Sequence, residues 1–294
     1  MNLTEKNRYI YVIVTPFKNE IKFLPEVFKS VVNQTILPSL WILVDDGSTD
    51  GSYELVSEWA KKISYIKILK LNRKKRREIG FNYSEVIFNG FEYFKQIWND
   101  SYDYIGILDA DIVLPNNYYE RLIKKFEEDK NLGIASGIVM CRVGERLIWE
   151  NEPPEWPCGA ARVWKRECFE KTGWKITRAP DTVSTVMAMK LGYKTRNFQD
   201  LVIIHLRPTW SGGGFWTGYI DIGKTRYYLG YDFISALLAS LKYTIEYPHI
   251  GAIPFLFGYF EDFIKYRGRI NDKFVINFFK KRFIPKIISW FKKY

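Results

Sequence analysis

Cysteine and histidine are scarce in this sequence, with three of the first and two of the second among 294 residues. Cys141, Cys158 and Cys168 are odd in number and form no C-x-x-C pair, which argues against a disulfide framework or a zinc site and fits a reducing compartment. Long hydrophobic runs are missing too. The apolar stretch at 9–14 is too short for the core of a cleaved leader, and 250–260 is too short to cross a bilayer. We therefore expect a cytoplasmic protein, peripheral on the cytoplasmic face where it meets a membrane. No helix-turn-helix, finger or RNP-like segment occurs, so nucleic acid is not an expected partner despite a formal charge of +11. The excess of 44 Lys and Arg over 33 Asp and Glu favours phosphate-bearing ligands and anionic lipid instead.

What is present is an alternating rhythm. Buried-strand patterns at 9–14, 41–44, 66–69 and 104–108 take turns with helical patterns: Leu24 to Asn33, then Leu55, Val56 and Trp59, then Ile87, Phe91, Phe94 and Trp98 in a helix opening near Ser84. This predicts an α/β fold with a Rossmann-like, mostly parallel sheet flanked by helices, whose ligands gather at the carboxyl ends of the strands. Past Gly133 come a strand at 134–140, a Pro- and Trp-rich loop, and a helix-strand set reaching Ile204. Beyond Phe215 the chain reads as a C-terminal helical extension.

Three polar clusters each follow a buried strand: Thr15 to Glu20, Asp45 to Asp50, and Asp109 to Asp111. In a parallel sheet they meet at one edge and outline a pocket for a nucleotide and a cation. Period-two alternation would aim Asp109 and Asp111 the same way, so that both hold one Mn²⁺ or Mg²⁺ with a diphosphate completing its shell. An isolated D-x-D is more often a solvated turn, but its company here reverses that preference. Ser48 to Asp50 reads as an Asx-turn with Asp50 capping the next helix. Asp45 or Asp46 is then available to a base imide, while Thr15, Pro16 and Glu20 hold base and ribose.

Val-Thr-Pro-Phe-Lys-Asn-Glu at 14–20, Val-Asp-Asp-Gly-Ser-Thr-Asp at 44–50 and Leu-Asp-Ala-Asp at 108–111 together resemble the family 2 glycosyltransferases with the GT-A fold. The likeness continues through Gly159-Ala160-Ala161-Arg162, Phe169 and Gly173, and spans roughly 8–205. It implies an inverting displacement on a nucleotide-diphosphate sugar, UDP or GDP sugars first, with a metal bridging the diphosphate and Phe17 in the donor motif. The resemblance also implies a catalytic base from an acidic pair. Here the matching stretch is Arg178-Ala179-Pro180-Asp181-Thr182, so Pro180 replaces the first acid and Asp181 is the expected base, with helix capping as its structural alternative. Some relatives complete the metal site with a histidine in the region of His205, whereas His249 reads as structural. Arg73 sits where relatives place residues near the nucleotide, although the run Arg73 to Arg77 otherwise reads as a solvated or lipid-facing loop.

Arg207, Lys224 and Arg226 flank Ser211-Gly212-Gly213-Gly214, a stretch loose enough to close over donor phosphates. From Lys273 to Tyr294 there is no acid, and Phe279, Phe283, Ile287 and Phe291 recur every fourth residue among lysines. That is an interfacial pattern, which makes an anionic membrane surface a partner and a glycan or lipid-linked acceptor an expectation. The expected division is a catalytic domain over 1–214, with a nucleotide half of about 1–115 and an acceptor half of about 116–214, followed by a helical region over 215–294. A sugar nucleotidyltransferase would want a glycine-rich loop after the first strand, and Thr15 to Glu20 has no glycine. A catalytically silent scaffold of the same fold would have no reason to keep these carboxylates.

Overall fold

Apolar side chains on both faces of a strand require cover on both sides, and the computed structural model supplies it. It describes residues 9–72, 80–150, 153–207, 214–245 and 250–280. The chain forms two compact units, Met1–Ile176 with Pro180–Pro208, and Thr177–Ala179 with Thr209–Tyr294.

In the first unit the order is β1 (Tyr11–Phe17), α1 (Leu24–Val32), β2 (Leu40–Asp45), α2 (Ser52–Lys62), β3 (Ile66–Lys70), α3 (Phe81–Ile97) and β4 (Tyr104–Ile107). There follow β5 (Ile112–Val113), α4 (Tyr118–Glu128), β6 (Leu132–Val143), β7 (Arg146–Glu150), β8 (Val163–Lys165), α5 (Arg166–Thr172), α6 (Pro180–Lys190) and β9 (Lys194–His205). The sheet runs β3-β2-β1-β4-β8-β6-β9-β5, with β7 beside β6. The predicted parallel arrangement holds from β3 to β4. It turns antiparallel at β8, and β6 and β9 restore a parallel pair.

Alternation along β1 sorts the core into two layers. Tyr11 and Ile13 join Trp41 and Leu43 of β2 under α1, α2 and α4. Val12 and Val14 join Ile42 and Val44 under α3, α5 and α6. Buried on both faces, these strands read as continuous apolar runs, which is what a parallel sheet covered by helices demands. At the start of α2, Gly51 at φ 94° takes the N-cap position expected for Asp50. Asp50, one residue earlier, still accepts the Ser52 N–H at 3.0 Å. The helix expected near Ser84 opens three residues sooner, at Phe81.

The second unit contains α7 (Phe215–Tyr228), α8 (Phe233–Ile245) and α9 (Ala252–Ile264), and residues 273–280 are helical. Helices α7 and α9 approach until backbone meets backbone. A Cβ on Gly223 would strike the Phe255 carbonyl, and one on Gly258 would strike that of Ile220. Tyr227, Tyr231, Phe255 and Tyr259 fill the interior with Val275 and Phe279. Phe279, expected on an interfacial stripe, instead stacks on Tyr231 at 5.2 Å because the 273–280 helix packs inward. Phe283, Ile287 and Phe291 lie outside the described residues, as do Arg73 to Arg77, Ser211 to Gly213 and His249.

Candidate active site

Because β2, β1 and β4 are parallel neighbours, their carboxyl ends lie side by side, and hydrogen bonds sew the loops beyond them together. Asn19, at φ 57°, donates its N–H to Ser48 Oγ at 3.1 Å and accepts the Thr49 N–H at 2.8 Å. The N–H of Glu20 donates to Ser52 Oγ at 2.9 Å, and that of Ile21 to Asp50 at 3.1 Å. The Asp45 carboxylate takes the Ser48 N–H at 2.9 Å, closing the turn, and Asp46 stands 3.8 Å from Lys18.

The third strand end is tied in through a charge network. Strand β5 pairs with β9 so that Ile112 faces His205, and the Leu206 N–H donates to the Asp111 carbonyl at 2.9 Å. This delivers Arg207 to the acids: its Nε lies 2.7 Å from Asp111 Oδ2 and its Nη2 2.5 Å from Glu20 Oε1. His205 Nε2 lies 3.3 Å from the same Asp111 oxygen. Burial pushes the Asp111 carboxyl up, but His205 and then Arg207 outweigh it and hold the group below its usual range. Asp109 differs. Its carboxylate accepts the Tyr83 hydroxyl at 2.7 Å, and burial, followed by the Asp111 charge, pushes it up to about 7. The same burial, with the charges of Asp109 and Asp181, drives the Tyr83 phenol well above its ordinary value, so Tyr83 remains a donor.

A fourth element brings the remaining acid. Residues 160–162 run beside the end of β4, the Asp109 N–H donating to Ala160 O at 2.7 Å and the Ile107 N–H to Arg162 O at 2.9 Å. Arg162 is buried, and its guanidinium donates to the carbonyls of Pro157 (2.5 Å), Cys158 (3.2 Å) and Asp181 (2.8 Å) and to the hydroxyl of Ser184 (2.9 Å). It thereby fixes the first turn of α6, which Pro180 opens with its preset φ. The Asp181 side chain lies against Gly159: a Cβ there would stand 2.7 Å from Asp181 Oδ2.

The structure thus gathers Glu20, Asp109, Asp111, Asp181, His205 and Arg207. Thr15 is buried and its hydroxyl accepts the Trp41 indole N–H at 2.9 Å, which builds the strand end. Phe17 and Asp45 are buried in the same wall, and Pro16 sits in β1 opposite Val44. Arg207, expected over donor phosphates, spends its guanidinium on two acids. Lys224 pairs with Glu261 at 2.7 Å and Arg226 reaches the Tyr231 hydroxyl at 3.3 Å, both inside the second unit. Strand β4 ends at Ile107, so strand alternation does not govern Asp109 and Asp111, and the two acids have different partners. Sequence reasoning missed Tyr83 and the role of Arg162. A tyrosine at a helix start carries no signal apart from packing, whereas an arginine between Ala161 and Val163, entering a buried strand, was a readable anomaly.

The resemblance implies a divalent cation. Asp109 and Asp111 are hard oxygen donors, burial and then the Asp111 charge raise Asp109, a cost that a shared cation would relieve, and ions of the Mg²⁺ type take one or two carboxylates plus substrate phosphates. Those two residues fit the group. Among the described residues no set of three His, Cys, Asp or Glu side chains is arranged as a metal cage. A separate cavity of about 560 Å³, lined by Lys125, Tyr193, Lys194 and Phe198 among others, includes none of these acids.

The sequence profile of glycosyl transferase family 2 matches residues 12–192. The chain is 40% identical over 62 residues to a cholesterol galactosyltransferase of Borreliella burgdorferi, and 28% identical over 116 residues to the glycosyltransferase GlyG of Streptococcus pneumoniae. Those stretches are 21% and 40% of this chain but 17% and 35% of the relatives' own lengths. The mannosyltransferase PcManGT of Pyrobaculum calidifontis, solved with GDP-Man and Mn²⁺, superimposes with a TM-score of 0.54 at 15% identity, over 98% of this chain and 81% of its own. TarS of S. aureus gives 0.50 at 12% identity, over 81% and 44%. The GT-A fold expected from the motifs is the fold found, and with the family profile spanning most of the first unit, the chain belongs to glycosyl transferase family 2.

Proposed function

We propose that this protein transfers a sugar from a nucleotide-diphosphate sugar, a UDP or GDP sugar, to a hydroxyl acceptor on a glycan or a lipid-linked carrier, with inversion at the anomeric carbon. The observation that carries the reading is the meeting of Asp109, Asp111 and Asp181, where Tyr83 holds Asp109, Arg207 and His205 hold Asp111, and Arg162 holds the Asp181 backbone. Asp181 takes the proton of the acceptor hydroxyl, and the oxygen forms its bond to the anomeric carbon as the bond to the diphosphate breaks. Asp109 and Asp111 would hold Mn²⁺ or Mg²⁺, which neutralises charge on the leaving diphosphate. Asp46, at the end of β2, accepts from the base. Arg207 exchanges its hold on Asp111 for the diphosphate, and His205 keeps the Asp111 carboxylate oriented. The acid-free basic sequence from Lys273 onward supports a peripheral position on the cytoplasmic face.

The test is a thermal-shift panel of UDP, GDP, CDP and dTDP sugars with and without Mn²⁺, since a ligand that binds the folded state raises Tm by mass action. Asp111→Ala is expected to lose metal-dependent donor binding and transfer together. Asp181→Asn keeps donor binding and loses about 10²–10⁴-fold in transfer. Undiminished turnover by Asp111→Ala removes the proposed site, and normal transfer by Asp181→Asn moves the base elsewhere.

A further inference from the structure

Helices α8 and α9 bury the wrong residues for a water-soluble surface. On α8, Ser235, Ala236 and Ser240 face inward, while Ile234, Leu237 and Leu241 are 66%, 42% and 51% exposed. The inward serines are satisfied locally, Ser235 by Asp232 and Ser240 by the Leu237 carbonyl. On α9, Phe255, Gly258 and Tyr259 face inward, while Ile253, Phe257 and Ile264 are 68%, 60% and 69% exposed and Ile250 leads into the same stripe. The exposed positions recur at helical spacing, so each helix presents one continuous apolar face. The helices touch, with the Phe233 and Phe260 rings 5.6 Å apart. Exposed apolar surface that is grouped in this way marks an interaction site, as scattered leucines do not.

We infer that the α8–α9 face docks into an anionic lipid bilayer. Charge selects this occupant. Of the acids of α9, Asp262 is buried, and Glu261, beside Phe257 and Ile264, is neutralised by Lys224 and Lys265. Immediately after α9 come Lys265, the 91% exposed Tyr266 and Arg267, an aromatic-basic rim of the kind that settles at a headgroup layer. The sequence from 273 to 294 adds Lys273, Lys280, Lys281, Arg282, Lys286, Lys292 and Lys293 with no acid. A second copy of so basic a chain is repelled where an anionic surface is attracted. No described helix is long and apolar enough to span a membrane, so the contact is interfacial. The Gly223 and Gly258 contact between α7 and α9 is also a packing mode that helices use in lipid.

The inference deepens the peripheral placement proposed above but stands on other residues. Flotation of the full chain with vesicles of phosphatidylcholine, with and without phosphatidylglycerol, tests it. Binding is expected to the anionic vesicles, weakened by salt, and Ile253→Asp with Phe257→Asp should cut it about hundredfold. The nucleotide-sugar thermal shift of that double variant should match the parent, which certifies its fold and keeps the transferase reading separate from this one. Failure of the parent to float with anionic vesicles overturns the inference, as does a double variant that floats like the parent. So does a parent dimer that the double variant dissociates while vesicle binding persists, because the face would then belong to a second copy.

Discussion

The strand-end loops of the first unit and the α8–α9 helices of the second break the same rule in opposite directions. In the loops, charged side chains are drawn inside: Asp111 is buried against Arg207 and His205, and Arg162 lies in the core on three backbone carbonyls. On α8 and α9 apolar side chains are pushed outside over serines and glycine. Each choice carries a cost for the isolated fold. Buried charge costs desolvation and exposed isoleucine forgoes burial, so each region is organised for something that binds it. The comparison predicts unequal responses: substitutions in the loops cost stability or ligand affinity, and substitutions on the exposed face cost the isolated protein almost nothing.

The largest effect is expected at Arg162. Replacing it with Met fills the space but leaves the carbonyls of Pro157, Cys158 and Asp181 without their donor, at a cost of about 3–5 kcal/mol and a Tm lower by about 10 °C. Lys restores little, because one ammonium cannot serve acceptors spread around a planar guanidinium. A Met variant within about 1 kcal/mol of the parent in urea denaturation would show that Arg162 does not anchor α6.

Next in size is the pH response of Asp109. Its folded-state carboxyl is pushed up to about 7 by burial and then by Asp111, above the value of an unfolded chain. The neutral acid therefore favours folding fully below the ordinary carboxylate range. That contribution fades as pH rises through about 7, a change on the order of 4 kcal/mol. Asp109→Asn flattens the slope. Cation binding runs the other way, since Mn²⁺ needs the carboxylate, so its affinity should climb with pH and level off above about 7. Mn²⁺ titration followed by electron paramagnetic resonance over this range measures it, and a flat profile would remove Asp109 from the ligand set. In the same assay Arg207→Ala, which takes the competing guanidinium away from Asp111, should tighten Mn²⁺ binding about tenfold.

The sequence carried the first region well and the second poorly, for physical reasons. Parallel strands buried on both faces announce themselves as apolar runs, and their polar ends, Thr15 to Glu20, Asp45 to Asp50 and Asp109 to Asp111, follow by topology alone. Which partner each acid takes is set by three-dimensional closure. Nothing local tells that β9 will lay Arg207 on Asp111 and Glu20, or that α3 will bring Tyr83 to Asp109. The antiparallel turn at β8 was equally hidden, because Val163 to Lys165 is too short to show a period. In the helical unit the amphipathic signal of the 273–294 segment suggested an outward face, yet Phe279 packs on Tyr231. The outward face lies on α8 and α9, whose sequences are apolar nearly all round, so periodicity could not separate the side that Phe255 occupies from the side that Phe257 occupies.

That last pair gives the smallest and most discriminating expectation. Phe255 and Phe257 are two residues apart on one helix, the first fully buried between Gly223 and Tyr243, the second open to solvent. Phe255→Ala should cost about 3–5 kcal/mol through lost burial and the cavity left behind. Phe257→Gln removes the same kind of side chain, yet unfolding of the isolated protein should move by no more than about 0.5 kcal/mol in either direction, because the residue is mostly exposed. Equal costs at the two positions in denaturant titration would mean that α9 is covered on both sides in solution, and the contrast with the strand-end loops would fail at its outer face.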